Sequence, residues 1–176
     1  MNSIARYTRI AMLLHWLMAA GVVALFALGW FMVDLPKGPE RGYYFALHKS
    51  IGLTIFGLLL IRIYWRLRHT PPPLPQHLPR WQSALAHVVH QAFYVALVAQ
   101  PVSGYLSSSF SGYSTKWFAL PLPSWGWRDA PLNEFFTEVH VIVSITLLVL
   151  IGVHLLGTLS HLLSGERTML RRMLPW

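Results

Sequence analysis

Polarity along this chain changes in long blocks, not at the short period of a soluble fold. Four apolar runs extend roughly over Ile10 to Val33, Tyr43 to Trp65, Trp81 to Leu106 and Phe135 to Leu163. A helix needs about 20 mostly apolar residues to cross the hydrocarbon core of a bilayer, and each run meets that length. The connections are a short charged loop (34–42), a proline-rich loop (66–80) and a long loop (107–134) rich in Ser, Gly, Pro and Trp. Within the second, "TPPPLPQHLP" reads as a stiff extended spacer. The pattern predicts an all-α membrane protein, an antiparallel four-helix transmembrane bundle forming one domain over residues 1–176. No segment is left over for a soluble domain. The first run is too long for a signal-peptide core, carries His15 and Trp16, and lacks an A-x-A cleavage site, so it reads as a retained span.

Composition agrees. The chain is 55% hydrophobic with only 11% charged residues, and its mean hydropathy is +0.47. Lipid is the natural solvent for that much apolar surface. Cysteine is absent, which excludes disulfides, a thiolate nucleophile and Cys-ligated zinc or iron–sulfur clusters. The net charge of +8 could suggest nucleic acid, but its distribution has a topological cause. With four spans, the end that holds both termini carries nine arginines against one acid, and the other end carries five Lys and Arg against five acids. One end is therefore +8 and the other neutral, which by the positive-inside rule puts both termini in the cytoplasm.

Nine histidines against six acids is the unusual ratio. Ionisable groups inside spans are costly and usually face the bundle interior with a function. His15, His48, His87, His90, His140 and His154 fall within spans, His161 near a span end, and His69 and His77 in the proline-rich loop. His48 and His140 each lie five residues into their spans from the outer side, and the two spans run parallel. His15, His87, His90 and His154 lie on the inner half. In "HVIVSITLLVLIGVH", His140 and His154 are 14 residues apart, within about 40° of four full turns and about 21 Å along the axis. They share one face at two depths. Paired imidazoles from facing helices at membrane depth fit haem b. Gly52, Gly57, Gly152 and Gly157 supply small residues near His48 and His154. Zinc would call for three or four ligands at one level, and no acid lies at mid-depth for zinc or for a proton relay. A single span histidine is often just hydrogen-bonded to a neighbouring helix, and span glycines often only pack helices. The tiering and the shared phase favour haem.

"LLHWLMA" in span one, "ALHKSIGL" opening span two and the H(13 residues)H separation in span four resemble the bacterial cytochrome b561 family, over essentially the whole chain. The resemblance implies two haem b groups in a bacterial inner membrane. The outer would be held by His48 and His140 and the inner by His15 and His154, with His87 and His90 as alternates at the inner iron. It further implies superoxide as donor on the outer side and ubiquinone as acceptor, with no protein partner required. Bis-histidine ligation leaves no open iron position and favours outer-sphere electron transfer. Steering of an anion needs positive charge, for which Arg41, Lys49, Lys116 and Arg128 are the candidates, with Lys37 in addition and Arg41 with Lys116 the favoured pair. His87, His90 and His161 inside, or Ser107 and Ser109 outside, could line a quinone pocket. The rival readings are a cytochrome b subunit serving a partner dehydrogenase or hydrogenase, and a non-redox transporter or assembly factor with structural histidines.

Overall fold

The structure, a computed structural model, describes residues 6–73 and 78–174; His77 lies outside the described residues. Four long helices dominate: α1 (Arg9–Asp34), α2 (Pro39–Arg68), α3 (Arg80–Phe110) and α4 (Ala130–Leu163), with a short α5 (Arg167–Arg171) after them. All four long helices are long and apolar enough to cross a membrane. They run past the apolar sequence blocks, and side chains cap the starts of α1 and α4. Thr8 Oγ1 accepts from the Ala11 N–H at 3.3 Å and from Trp65 Nε1 at 2.8 Å, so one hydroxyl ends α1 and pins it to the end of α2. Asp129 accepts from the Leu132 N–H at 3.0 Å ahead of α4, with Pro131 in the first turn. Helix α2 starts on Pro39 with Glu40 in its first turn and ends with Arg66 and Arg68 in its last, in line with its dipole.

The helices associate as two pairs. Helix α1 packs along α2 and α3 along α4, with a narrower α2–α3 contact, while no Cα of α1 comes within 8 Å of α4 and none of α2 within 8 Å of α4. Within the first pair Ile55 packs over Gly21, where a Cβ would lie 2.2 Å from Ile55 Cδ1. Between the pairs, side chains fill little of the space. Leu147 is the only buried residue in the 34 of α4, and α2 buries only Ser50 and Leu59. Lipid accounts for the exposed outward faces. It does not account for α1 and α4 presenting side chains to one another without their backbones approaching.

Each end of the bundle is closed differently. At the neutral end a two-stranded hairpin, β1 (Lys116–Trp117) and β2 (Leu120–Pro121), pairs Lys116 with Pro121 and Trp117 with Leu120. It is fastened to α2: the Phe118 N–H donates to Ser50 Oγ at 2.8 Å, and Trp117 Nε1 to Thr54 Oγ1 at 3.0 Å. Phe118 adopts φ 52°, the left-handed region that so tight a connection requires. At the basic end the Tyr7 N–H donates to the Arg172 carbonyl at 3.2 Å, Trp16 Nε1 to the Met173 carbonyl at 2.8 Å, and Arg172 Nη2 to the Pro73 carbonyl at 2.7 Å. The start of the chain, the α5 segment and the proline-rich loop are thereby joined.

Candidate cofactor-binding site

The four histidines expected to act as ligands meet as two pairs. His48 of α2 and His140 of α4 have ring centres 6.3 Å apart with planes crossing at 72°. His15 of α1 and His154 of α4 are also 6.3 Å apart, crossing at 71°. A metal–imidazole nitrogen bond is about 2.0 Å, and a ring nitrogen lies about 1.1 Å from its ring centre, so two imidazoles on opposite sides of one metal stand about 6 Å apart. Both pairs have that spacing, and both join the α1–α2 pair to α4 across the gap. All four side chains are half-buried.

The surroundings of His140 are built to hold it. Its Nδ1 lies 2.8 Å from the Gln100 carbonyl, which can only accept, so Nδ1 carries the proton and Nε2 the lone pair. Ser103 Oγ stands 3.3 Å from the same Nδ1. Gly104 lets the ring lie on the α3 backbone, since a Cβ there would sit 2.9 Å from His140 Cε1. The Gln100 amide donates to Nε2 at 3.0 Å, while its Oε1 is buried with no hydrogen-bond partner. An amide so poorly satisfied gives way readily to a metal. His48 packs beside Gly29, and its Nδ1 is likewise buried without a partner. An orphaned buried nitrogen costs free energy unless something absent from the protein chain completes it.

Around His154 the packing is aromatic. Phe93 lies edge-on at 5.8 Å and His90 at 5.8 Å with planes at 63°. His90 therefore also reaches His154, but it is exposed, whereas His15 is half-buried and the His15–His154 pair repeats the outer pair's separation and angle. His87 makes no ring contact with His154 among the described residues. Its Nδ1 donates to the Ser83 carbonyl of its own helix at 2.7 Å. Both His87 and His90 line a groove of about 680 Å³ at the basic end, together with Arg66, Arg80 and Gln91. His161 is turned away to Glu166, at 3.4 Å.

The glycine environment sharpens the fit. A Cβ on Gly52, Gly57, Gly152 or Gly157 would meet nothing within 4 Å. By helical phase Gly52 lies about 40° from His48, and Gly157 about 60° from His154, whereas Gly57 and Gly152 lie about 180° and 160° round from those histidines. Gly52 and Gly157 are the pair on the faces that carry His48 and His154. No group of three or more His, Cys, Asp or Glu that could hold a bare metal ion exists among the described residues. Two facing imidazoles, a wide gap and open glycines fit a flat macrocycle that brings its own equatorial ligands.

The sequence profile of the prokaryotic cytochrome b561 family matches residues 6–176. The chain belongs to that family. It is 34% identical to cytochrome b561 homolog 2 of Escherichia coli K12, over 98% of this chain and 93% of that protein. It is 29% identical to the probable superoxide oxidase CybB of Yersinia pestis, over 97% and 96%, and 23% identical to cytochrome b561 homolog 1 of E. coli K12, over 97% of each. This cytochrome b561 is a multi-pass membrane protein of electron transfer, and haem b is the group its histidine pairs fit.

Among the cations expected to steer an anion, Arg41 donates from Nη1 to the Leu35 carbonyl at 3.2 Å and stacks over Phe45 at 5.4 Å, so it clamps the α1–α2 loop. Lys116 stands exposed on the hairpin. Ser107 is engaged with Thr137 at 2.7 Å and Asn133 at 3.1 Å, between α3 and α4. Gln100, Ser103, Gly104 and Gly29 were not singled out by sequence reasoning. The available signal was Gln100 itself, an amide beside Pro101 inside an apolar run, 40 residues before His140 on the neighbouring antiparallel helix.

Proposed function

We propose that this cytochrome b561 holds two haem b groups, one between His48 and His140 and one between His15 and His154, and that it oxidises superoxide and reduces ubiquinone. The observation that carries the reading is the repeated histidine pair: the same 6.3 Å separation and the same crossing angle within a degree, about 21 Å apart along α4. The 29% likeness to a probable superoxide oxidase supports the choice of donor.

When bound, haem b supplies a one-electron iron couple at each level. The residues fix what that couple can do. His48 with His140, and His15 with His154, would hold the group from both sides, leaving no place for dioxygen to bind, so the chemistry it would supply is electron transfer. The Gln100 carbonyl holds His140 in the tautomer whose Nε2 can ligate. Two superoxide ions yield two dioxygen molecules and two electrons; one ubiquinone takes those two electrons and two protons to give the quinol. The +8 end faces the cytoplasm of a bacterial inner membrane and the neutral, hairpin-bearing end faces outward, where superoxide is met.

The test is direct. Purified protein is expected to show a reduced-minus-oxidised haem b spectrum with two haems per chain. It should reduce a soluble ubiquinone when superoxide is generated, with no other protein present. Quinone reduction that appears only with an added dehydrogenase or hydrogenase assigns the chain to the partner-dependent reading. A haem-free protein defeats both.

A further inference from the structure

Lys49 follows the outer ligand His48 directly and lies inside α2. A span lysine near an interface ordinarily stretches its ammonium out to water. Lys49 instead turns inward. Its Nζ donates to Ser108 Oγ at 2.7 Å, and Ser108 Oγ hydrogen-bonds Thr115 Oγ1 at 2.7 Å. Ser108 and Thr115 are buried, at 4% and 2% exposure. Ser109, next along α3, is also buried, and its hydroxyl has no hydrogen-bond partner. An ammonium has three donors, and the described residues accept one of them. No carboxylate lies within 4.0 Å of Lys49 among the described residues. Of the nearby acids, Asp129 is committed to capping α4.

A half-buried cation held by neutral hydroxyls remains uncompensated, and hydroxyls cannot neutralise it. The arrangement therefore asks for an anion with oxygen acceptors. We propose that Lys49, with Ser108 and Thr115, forms a carboxylate-binding site beside His48, and that its occupant is a propionate of the outer haem. This rests on the His48–His140 haem site argued above. Charge complementarity selects the occupant: the group expected at this depth carries its own carboxylates, and the protein offers none there. Lys49 is thus a positioning residue that fixes the ring's rotation and favours the reduced iron by its charge.

The experiment measures the midpoint potential of the outer haem, identified as the one lost in His140→Ala. The full chain is loaded with haem b or with haem b dimethyl ester, whose propionates carry no charge. With haem b, Lys49→Met should lower the outer potential by about tenfold in the ferric-to-ferrous ratio, or about 59 mV for a one-electron couple, while Lys49→Arg stays near wild type. Affinity reads the contact itself: with haem b, Lys49→Met should weaken binding of the outer haem about tenfold, whereas with the dimethyl ester it should weaken it no further. An unchanged outer potential in Lys49→Met overturns the site. So does an equal loss of affinity with the ester, which would mean that Lys49 makes no contact with a propionate. Where Lys49→Met releases the outer haem, Ser108→Ala decides: a lower outer potential supports the site, an unchanged one overturns it. A wild-type chain with no haem at His48–His140 fails the underlying reading instead, and that outcome is visible before any lysine variant is made.

Discussion

Gly104→Ala places the smallest possible side chain against His140, the proposed outer ligand. The added Cβ would lie 2.9 Å from His140 Cε1 and 3.0 Å from Nδ1. Ordinary carbon contacts are about 3.5–4.0 Å, so the ring must retreat by about half an ångström or more. It cannot retreat freely, because Nδ1 is tied to the Gln100 carbonyl at 2.8 Å on the same helix. The retreat stretches that bond and tilts Nε2 away from its metal-facing direction. Loss of a group that orients a histidine ligand typically costs about 10–100-fold in metal affinity, or about 1.4–2.7 kcal/mol. The inner pair is about 21 Å away along α4, well beyond the range at which substitutions couple. Titrating haem into the apo-chain while following the Soret band should therefore show one site weakened 10–100-fold and the other unchanged. Equal weakening of both sites would mean that the substitution loosens the whole bundle. Wild-type affinity at both sites, even in Gly104→Val, would refute the claim that His140 is positioned against the α3 backbone.

The alternates at the inner site separate cleanly: His15→Ala should leave one haem per chain by pyridine haemochrome assay, and His90→Ala should leave two, with the opposite result exchanging their roles. If positive charge steers superoxide, its oxidation rate should fall as ionic strength rises from about 0.01 to 0.15 M, where the screening length drops from about 30 to 8 Å; a flat dependence removes Lys116 from consideration. Gly21→Ala should destabilise by about 1–3 kcal/mol, because its Cβ would overlap Ile55 Cδ1 at 2.2 Å. Adding Ile55→Ala should recover part of that loss in thermal release of haem, and strictly additive losses would disprove the contact.

Much of this protein was legible before its structure. Blocks of hydropathy can be read residue by residue because in lipid every backbone group must be satisfied within its own helix, so span existence depends on local sequence. The 14-residue separation of His140 and His154 was equally plain, since helical phase and rise are fixed by backbone geometry. The partners of those histidines were harder to see. That His90 also comes within 5.8 Å of His154 depends on where α3 lies beside α4, which no local pattern encodes.

Sequence by itself determined the solvent, the number of long helices, the charge asymmetry of the two ends and the two depths at which imidazoles occur. Each follows from composition or from periodicity along one helix. Only tertiary structure decided the rest: that α1 and α2 stand off from α4 by more than backbone contact, that Gln100 and Ser103 hold His140, that Arg41 is taken up by the Leu35 carbonyl, and that Lys49 turns inward to Ser108. The side-chain contacts among them join residues 6 to 59 positions apart, and the stand-off of α4 involves residues farther apart still. They are set by how whole helices pack, where each side chain's partner is whatever the neighbouring backbone brings within reach.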